Sequence, residues 1–295
     1  LYNWRADVRP RVVGKFDEHG ALIFPSAGEL TPSHIARVIA KRIKGFSLSE
    51  SFSRHLTERL IFLEERESSL ETNRVSVERI PFFCSGCPHN TSTKVPSGSR
   101  AAAGIGCHYM SLSMNRNTDT FTQMGGEGAN WIGQAPFTTT EHIFVNIGDG
   151  TYFHSGILAI RAAVAADVNI TYKILYNDAV AMTGGQPLDG PLDVASITWQ
   201  VRAEGVNCIS VISDNPDKYP TDLDFAPNVT FHHRDDLDSV QRDIRNNKGV
   251  SVLVYDQTCA AELRRRRKRG LHPDPVERPF INAAVCEGCG DCGVQ

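Results

Sequence analysis

A strand–turn–helix–strand unit in the middle of the chain constrains the fold more than any other feature. The apolar run Ile143–Ile147 is followed by the turn Gly148-Asp149-Gly150, by an alanine-rich helix over about residues 155–166, and by a second apolar run, Ile170–Tyr176. Two buried strands joined through a helix make a right-handed crossover and pair in parallel. Further apolar runs extend the pattern, at Cys208–Ile212 and Val250–Tyr255. The sequence therefore predicts an α/β fold with a doubly wound, mostly parallel sheet.

Oxygen-bearing side chains follow both strands of this unit at the point where each strand ends. Asp149 comes just after the first strand and Asn177 just after the second. The crossover brings both to the carboxyl edge of the sheet, where open α/β folds bind ligands. With a nearby main-chain carbonyl they match the oxygen ligands that Mg2+ prefers, while Gly148 and Gly150 let the backbone approach phosphate groups beside a helix N-terminus. Gly-Asp-Gly alone is a common turn, but an Asn at this distance favours a magnesium and diphosphate site.

The segment after the second strand carries a family resemblance. It reads Ala181-Met182-Thr183-Gly184-Gly185-Gln186-Pro187 and resembles the corresponding segment of the 2-oxoacid:ferredoxin oxidoreductases. Residues 83–89, 104–108 and 150–154 are similar to stretches in the thiamine domain of the indolepyruvate ferredoxin oxidoreductases. The resemblance covers residues 81–295 and rests on several motifs that occur in the same order.

This resemblance implies a thiamine diphosphate cofactor held through Mg2+. Asp149, Asn177 and the carbonyl of Ala179 would be the Mg2+ ligands. The other implied cofactor-binding positions are Cys107, His108, Gly148, Gly150, Thr151, Thr183, Gly184 and Gln186. His108, Glu127 and His154 are the candidates for a catalytic role, because each lies within or beside a glycine-rich or cofactor motif. A histidine bonded within the core, or a tight turn around Glu127, is the structural alternative.

The N-terminus lacks the basic-then-apolar pattern of a signal peptide, so the eight cysteines are expected to be metal-binding thiols rather than disulfides. Cys84 and Cys87 form a C-x-x-C pair and Cys107 follows 20 residues later, so only the fold can assemble four thiolates. The resemblance implies a 4Fe-4S cluster bound by Cys84, Cys87, Cys107 and Cys208. A buried strand cysteine is the alternative for Cys208.

The cysteines allow one alternative and two further expectations. A zinc site could use the first three thiols with His89 or His108. Cys259, which stands alone after a strand, is expected to be a buried core thiol. Cys286, Cys289 and Cys292 have the spacing that begins a ferredoxin cluster run, so a second, incomplete 4Fe-4S site is expected.

The chain divides into four predicted segments. Residues 1–79 form a linker or the end of a preceding domain, with two helices. Residues 80–262 form the thiamine diphosphate-binding domain, 263–280 a linker, and 281–295 the start of a ferredoxin-like iron–sulfur domain. Since the first residue is Leu1 and the last cysteine run is cut short, we expect a fragment of a longer polypeptide.

Charge and hydropathy limit the function classes. With 31 Lys+Arg against 34 Asp+Glu the formal net charge is -3, which gives no net-charge basis for binding nucleic acid or a membrane. No window reaches 18 consecutive apolar residues, so no membrane span is expected, and reduced thiols indicate a cytoplasmic protein. The basic run Arg264–Arg269 is a solvated face, a nucleic-acid patch, or a surface that steers an acidic ferredoxin.

The function that the resemblance implies is oxidative decarboxylation of a 2-oxo acid to an acyl-CoA. The substrate would be an aryl pyruvate such as indolepyruvate, coenzyme A would take the acyl group, and electrons would pass through 4Fe-4S clusters to ferredoxin. The Glu that activates thiamine usually belongs to a pyrimidine-binding domain, expected elsewhere in the full-length chain or in another subunit, and a homodimer is expected. The alternatives are a non-redox thiamine diphosphate-dependent decarboxylase or carboligase, and a zinc-binding module.

Overall fold

The structure of the chain forms two compact units, residues 1–79 and 80–295. It is a computed structural model that describes residues 12–72, 80–188, 190–220 and 223–290. Among these described residues, no helix combines the length and the apolar character that crossing a membrane requires.

The first unit contains two helices, α1 (Pro32–Ile43) and α2 (Glu50–Thr72). The side chain of Thr31 caps α1 by accepting a backbone hydrogen bond at 3.2 Å, and a proline occupies the first helical position. An ion pair between Arg37 and Glu67 joins the two helices. The predicted site residues all lie in the second unit.

A sheet of seven strands forms the centre of the second unit. The strands are β1 (Ala101–Ala103), β2 (Thr118–Phe121), β3 (Ile143–Gly148), β4 (Ile170–Tyr176), β5 (Cys208–Ser213), β6 (Thr230–His233) and β7 (Val250–Asp256). Their order is β2-β1-β3-β4-β7-β5-β6, and all pairings are parallel. The predicted α/β fold is therefore confirmed. Strands β1, β2 and β6 were not predicted, because three or four residues are too few to show a periodic pattern.

The helices of the second unit connect and cover these strands. They are α3 (His89–Ser92), α4 (Ala129–Gln134), α5 (Asp149–Thr151), α6 (Ile157–Ala165), α7 (Val194–Ala203), α8 (Leu237–Ile244) and α9 (Ala260–Lys268). A π-helical turn over residues 152–156 joins α5 to α6, so the helix after β3 begins at Asp149, earlier than predicted. The predicted linker 263–280 also begins inside α9, because Glu262 pairs with arginines one turn further on and supports the helix across that boundary.

The two faces of the sheet are packed differently. One face presents Ile147, Ile174 and Val254, all fully buried in an apolar core with residues of α6 and α7. The other face carries a smaller apolar cluster packed against α8 and, beside it, buried polar side chains such as Asn146 and Lys173, which are register partners on β3 and β4. The carboxyl ends of β3, β4 and β7 lie side by side at one edge of this sheet, and the candidate site is built there.

Candidate functional site

Asp149 anchors the site at the carboxyl end of β3, where its side chain is buried. Its Oδ1 accepts a hydrogen bond from the backbone N–H of Gly150 at 2.8 Å. Its Oδ2 accepts from the backbone N–H groups of Asn177 at 2.8 Å and Asp178 at 3.0 Å, which ties β3 to the end of β4. Burial raises the pKa of Asp149 to about 6, although the three backbone donors oppose this. A cation beside the carboxylate would favour its ionised form.

Asn177 places an unpartnered oxygen near this carboxylate. Its side chain is 7% exposed, and Oδ1 is buried without a hydrogen-bond partner. Ala179, two residues further on, is buried as well. Buried polar atoms are rarely left unpaired, and carboxylate, amide and carbonyl oxygens are the donors that a hard cation accepts. The residues present therefore fit Mg2+.

A cavity of about 250 Å³ lies over these residues. Its walls come from the β3–α5 junction, the segment after β4, and the loop that carries His108. Nine of the predicted cofactor-binding residues line it: Cys107, His108, Gly148, Asp149, Gly150, Thr151, Asn177, Ala179 and Thr183. The fold thus brings together residues that are up to 76 positions apart in the sequence.

Hydrogen bonds between Thr183 and Gln186 hold the loop that forms the second half of the motif at residues 181–187. Thr183 donates its hydroxyl to Gln186 Oε1 at 2.7 Å, and Gln186 Nε2 donates to the carbonyl of Thr183 at 3.0 Å. Gly185 has a φ of +80°, and a Cβ there would lie 2.1 Å from Arg265 Nη1. Thr183 lines the cavity, whereas Gly184 and Gln186 do not. The prediction that Gly184 and Gln186 contact the diphosphate is not supported here, because the polar atoms of Gln186 are bonded to Thr183.

Two histidines predicted to be catalytic line the cavity, one of them buried and the other exposed. His108 is buried, its Nε2 has no partner, and its ring lies 5.9 Å from that of His89 between centroids. Burial, with a smaller contribution from His89, lowers the pKa of His108 to about 3, so this ring is neutral near pH 7. A Cβ on Gly148 would lie 3.5 Å from its Cε1. His154 is exposed, and its Nδ1 lies 2.9 Å from Ser155 Oγ.

Glu127 lies behind the cavity wall, which corrects its prediction as a group that polarises substrate. It is fully buried, it does not line the cavity, and its Oε2 accepts the backbone N–H of Gly125 at 2.8 Å. A Cβ on Gly104 would lie 2.5 Å from its Cγ. Burial raises the pKa of Glu127 to about 6. Glu127 therefore supports the loop that carries Cys107 from behind.

The C-x-x-C pair lies with two other thiols in one group. Burial raises the pKa of Cys87 to about 11, and the neighbouring thiols of Cys259, Cys84 and Cys107 raise it further. The pKa of Cys107 is raised by burial and then by Cys259 and Cys84. Four thiolates are the donor set of a 4Fe-4S cluster, and these four thiols match that set in number and kind.

Cys208 does not belong to this group, so its prediction as the fourth cluster ligand does not hold. It begins β5 at the amino edge of the sheet, and its Sγ accepts a hydrogen bond from Asn247 Nδ2 at 3.0 Å. Cys259, instead of Cys208, lies with the other three thiols, and it is partly exposed rather than buried in the core. Its backbone N–H donates to the carbonyl of Asn177 at 3.0 Å. The sequence did contain the signal, because Cys259 follows a strand end as Asp149 and Asn177 do, whereas Cys208 opens a strand.

The cysteines predicted to hold a second cluster, where the structure describes them, are not enclosed by other parts of the fold. Cys286 and Cys289 are exposed, and Cys292 lies outside the described residues. Within the parts of the chain that the structure describes, no group of three or more Cys, His, Asp or Glu side chains has the closed geometry of a bound metal ion.

The basic run in α9 connects the two halves of the site. Arg266 pairs with Asp178 at 2.8 Å and with Glu262 at 3.4 Å. Arg265 pairs with Glu262 at 2.9 Å, and Arg264 donates to the carbonyl of Ser85 at 3.2 Å. Part of the run therefore holds the loops beside Asn177 and Cys84, while the cations of Arg264, Lys268 and Arg269 are exposed.

Comparison with known proteins agrees with this geometry. Residues 104–254, half of the chain, match the family model of the thiamine pyrophosphate enzyme, C-terminal TPP binding domain. Residues 1–73 match the model of the indolepyruvate ferredoxin oxidoreductase middle domain. Both models match in the order in which the two units of the structure occur.

Curated relatives point in the same direction. The indolepyruvate oxidoreductase subunit IorA of Thermococcus kodakarensis is 25% identical over 93% of this chain and 42% of its own length. That of Methanothermobacter marburgensis is 29% identical over 84% of this chain and 44% of its own length. The chain thus spans less than half the length of these relatives. A solved 2-oxoglutarate:ferredoxin oxidoreductase from Magnetococcus marinus is 18% identical, with a TM-score of 0.45 over 70% of this chain and 75% of that one.

Proposed function

The chain belongs to the thiamine pyrophosphate enzymes, and we propose that it supplies the diphosphate-binding half of the active site of a 2-oxoacid:ferredoxin oxidoreductase. The observation that carries this proposal is the arrangement at the carboxyl edge of three adjacent strands. Asp149 and the unpartnered oxygen of Asn177 lie at the ends of β3 and β4, and Cys259 follows β7 with three other thiols around it. This arrangement supports a cofactor site and a cluster site that would be adjacent.

The proposed reaction joins a 2-oxo acid to coenzyme A. The acid loses CO2, its former 2-oxo carbon becomes the acyl carbon of a thioester, and two electrons pass one at a time to two ferredoxins as a proton is released. Thiamine diphosphate, when bound, supplies the carbanion that attacks the 2-oxo carbon. The relatives named for indolepyruvate favour an aryl pyruvate as the substrate.

The chain's own residues have separate tasks in this proposal. Asp149, Asn177 and the carbonyl of Ala179 would hold Mg2+, and the backbone at Gly150 and Thr151, at the start of the helix, would bind the diphosphate. Neutral His108 would offer Nε2 to the bound cofactor or to the oxo acid without adding charge to the cavity. The partly exposed His154 would contact the substrate side.

The thiols would hold the first electron acceptor close to the cofactor. Cys84, Cys87, Cys107 and Cys259 are the proposed ligands of a 4Fe-4S cluster, and Cys107 also lines the cofactor cavity. Electrons would then pass to a ferredoxin, either directly or through a second cluster at Cys286, Cys289 and Cys292. The exposed cations Arg264, Lys268 and Arg269 favour an acidic carrier.

The cavity also needs a cover. Met124 and Met182, which line it, are each more than half exposed, and Tyr109 packs edge-to-face on the exposed ring of Phe121 at 5.0 Å. Exposed apolar side chains around a cavity mark an interaction surface. We propose that a pyrimidine-binding domain, with the activating Glu, docks there and that the assembly is a homodimer.

Matched serine variants test the cluster ligands. The anaerobically purified parent should carry about four irons with acid-labile sulfide and a visible band that dithionite bleaches, or about eight if the second run is filled. Cys259→Ser should lose about four irons and most of the bleachable band, whereas Cys208→Ser should match the parent. Zinc in place of iron, or loss of iron in Cys208→Ser alone, would contradict the proposal.

Asp149→Asn tests the cofactor half separately. Calorimetric titration with thiamine diphosphate and Mg2+ should show affinity weakened roughly tenfold or more, because a charged metal ligand is lost. Glu141→Gln, an exposed carboxylate outside the cavity, is the control and should bind as the parent does. Equal affinity for all three proteins would mean that Asp149 does not hold the cation.

A further inference from the structure

A second cavity, separate from the cofactor site, lies on the polar face of the sheet. It has a volume of about 650 Å³ and is formed by the segment after α3, the turn before β2 and the start of α8. Its lining includes three basic side chains, Lys94, Arg116 and Arg234. Its size is within the range of small-molecule binding sites, about 300–1,000 Å³.

Within the described residues, the positive charge beneath this cavity has no negatively charged partner. Lys173 is fully buried, and its Nζ donates to the carbonyl of Lys94 at 2.9 Å and lies 5.7 Å from the ring centroid of Phe144. Among the described residues, none of Lys94, Arg116 and Lys173 forms an ion pair with a carboxylate. Burial and repulsion from Arg116 together lower the pKa of Lys173 to about 7. Buried charges are normally paired, so this region lacks an anion.

The two acids at the rim of the cavity do not fill that role. Asp238 pairs with Arg242 at 2.6 Å, and Asp235 pairs with Arg234 at 3.8 Å, so Arg234 already has a carboxylate partner whereas, in the described parts of the chain, Lys94 and Arg116 do not. Gln241, on α8, is 1% exposed, and its Oε1 is buried without a partner in the cavity lining. This oxygen can accept a hydrogen bond from a hydroxyl or an N–H group of a ligand.

We propose that this cavity binds a phosphate-bearing small molecule, with the phosphoryl group at Lys94 and Arg116. A doubly charged phosphoryl group has several acceptor oxygens, which suits a guanidinium, an ammonium and the N-terminus of α8 better than one carboxylate does. The volume exceeds that of inorganic phosphate and leaves room for an organic part that donates to Gln241. This proposal does not depend on the function proposed above.

A ligand bound in this second cavity would affect the loop that carries the C-x-x-C pair. Arg116 Nη1 donates to the carbonyl of Asn90 at 2.8 Å, and Asn90 Nδ2 donates to the carbonyl of Cys84 at 3.2 Å. A phosphoryl group that fixes Arg116 is therefore linked to Cys84 through two hydrogen bonds. The ligand would restrict the position of this loop.

Calorimetric titrations of the purified chain test the site. The titrations contain no thiamine diphosphate, which would compete for the proposed site, and no Mg2+, without which the first site does not hold a diphosphate. The probes are inorganic phosphate, ADP and sulfate. Lys94→Gln and Arg116→Gln should each weaken phosphate or ADP binding at least about tenfold, since each removes a charge-assisted hydrogen bond. Lys248→Gln, an exposed lysine that lines other cavities, is the control and should stay within about twofold of the parent.

The probes also separate the sources of the phosphoryl group. ADP that binds about tenfold more tightly than phosphate supports an organic phosphate as the ligand, and equal affinities support free phosphate. Three results would overturn the proposal: no saturable binding of phosphate or ADP, sulfate binding as tight as both, or unchanged binding in Lys94→Gln and Arg116→Gln. Circular dichroism of both variants verifies that a loss of binding is not a loss of fold.

Discussion

The two faces of the central sheet show how one set of strands serves two purposes. On the face under α6 and α7, Ile147, Ile174 and Val254 belong to a large apolar core. On the opposite face the same strands present the buried polar side chains of Asn146 and Lys173 beside a smaller apolar cluster packed against α8. The first face carries most of the apolar core, whereas the second combines a smaller apolar cluster with buried polar side chains and lies under the second cavity. Strand alternation separates these two environments.

The largest expected effect is on the apolar face. Ile174→Ala should lower the free energy of unfolding by about 2–5 kcal/mol, because it removes buried methyl groups and leaves a cavity between β3 and β7. Urea unfolding followed by circular dichroism measures this change, and Ile174→Val should cost only about 0.5–1.5 kcal/mol. A loss below about 1 kcal/mol in Ile174→Ala would mean that this face does not dominate stability.

The neighbouring position on the polar face should respond in the opposite direction. Lys173→Met should raise the free energy of unfolding at pH 7 or below by roughly 1–4 kcal/mol, because an unpaired buried charge is replaced by an apolar chain of similar length. The pKa of Lys173 is lowered to about 7 in the folded chain, against 10.5 as the ordinary value. Between these pH values the unfolded chain binds more protons, so this residue makes the parent more stable as pH rises.

Unfolding curves at several pH values between 7 and 10.5 test whether the free energy of unfolding rises with pH. The parent should gain stability across this window, and Lys173→Met should lack that gain. Lys248→Met, at an exposed position, should keep the parent's slope. A destabilised Lys173→Met would show that Lys173 is compensated, which would also remove the argument for a missing anion.

A smaller effect is expected at His142, at the edge of the polar face. Its Nε2 lies 2.8 Å from Thr171 Oγ1 and its ring 4.8 Å from that of Phe144. Burial, and then the charge of Arg245, lower the pKa of His142 to about 4. The unfolded histidine takes up a proton near pH 6.5, so stability from this residue is complete above that pH and is lost as pH falls towards 4.

His142→Asn should reduce this acid sensitivity by roughly 1–2 kcal/mol between pH 6.5 and 4, a value discounted for the partial exposure of the ring. Thermal unfolding at pH 7, 5.5 and 4.5 measures the difference between the slopes of the two proteins. His232→Asn, on a partly exposed histidine of β6, is the control. Parallel slopes for the parent and His142→Asn would exclude this residue as a source of acid sensitivity.

The sequence predicted the fold and half of the site for a definite reason. Runs such as Ile170–Tyr176 are long enough for their periodicity to identify strands, and the ends of parallel strands then fix the positions of Asp149 and Asn177 at one edge. Cys208 was predicted to lie with the other thiols, and Cys259 to lie in the core, because the prediction did not consider whether each cysteine begins or follows its strand. Periodicity identifies a strand, but the edge at which a residue lies depends on the direction of the chain.

Other features were beyond the reach of the sequence. Glu127 stands in a glycine-rich stretch that resembles a ligand loop, and only the packing shows that its carboxylate supports Gly104 from behind. The sequence shows that Lys173 interrupts an apolar strand. It does not show that the ammonium group bonds the carbonyl of Lys94 and lies near the cation of Arg116, because both residues are distant in the sequence. Long-range pairings of this kind are set by tertiary structure, which one sequence does not specify locally.

The single hydrogen bond between the backbone N–H of Cys259 and the carbonyl of Asn177 has a consequence for assembly. Asn177 would be fixed by the cation on one side, and Cys259 would receive iron on the other. Loading of the two inorganic centres should then be cooperative, since an ordered Asn177 already sets the position of one thiolate. Protein matured with Mg2+ and thiamine diphosphate should accept its cluster more readily than protein matured without them.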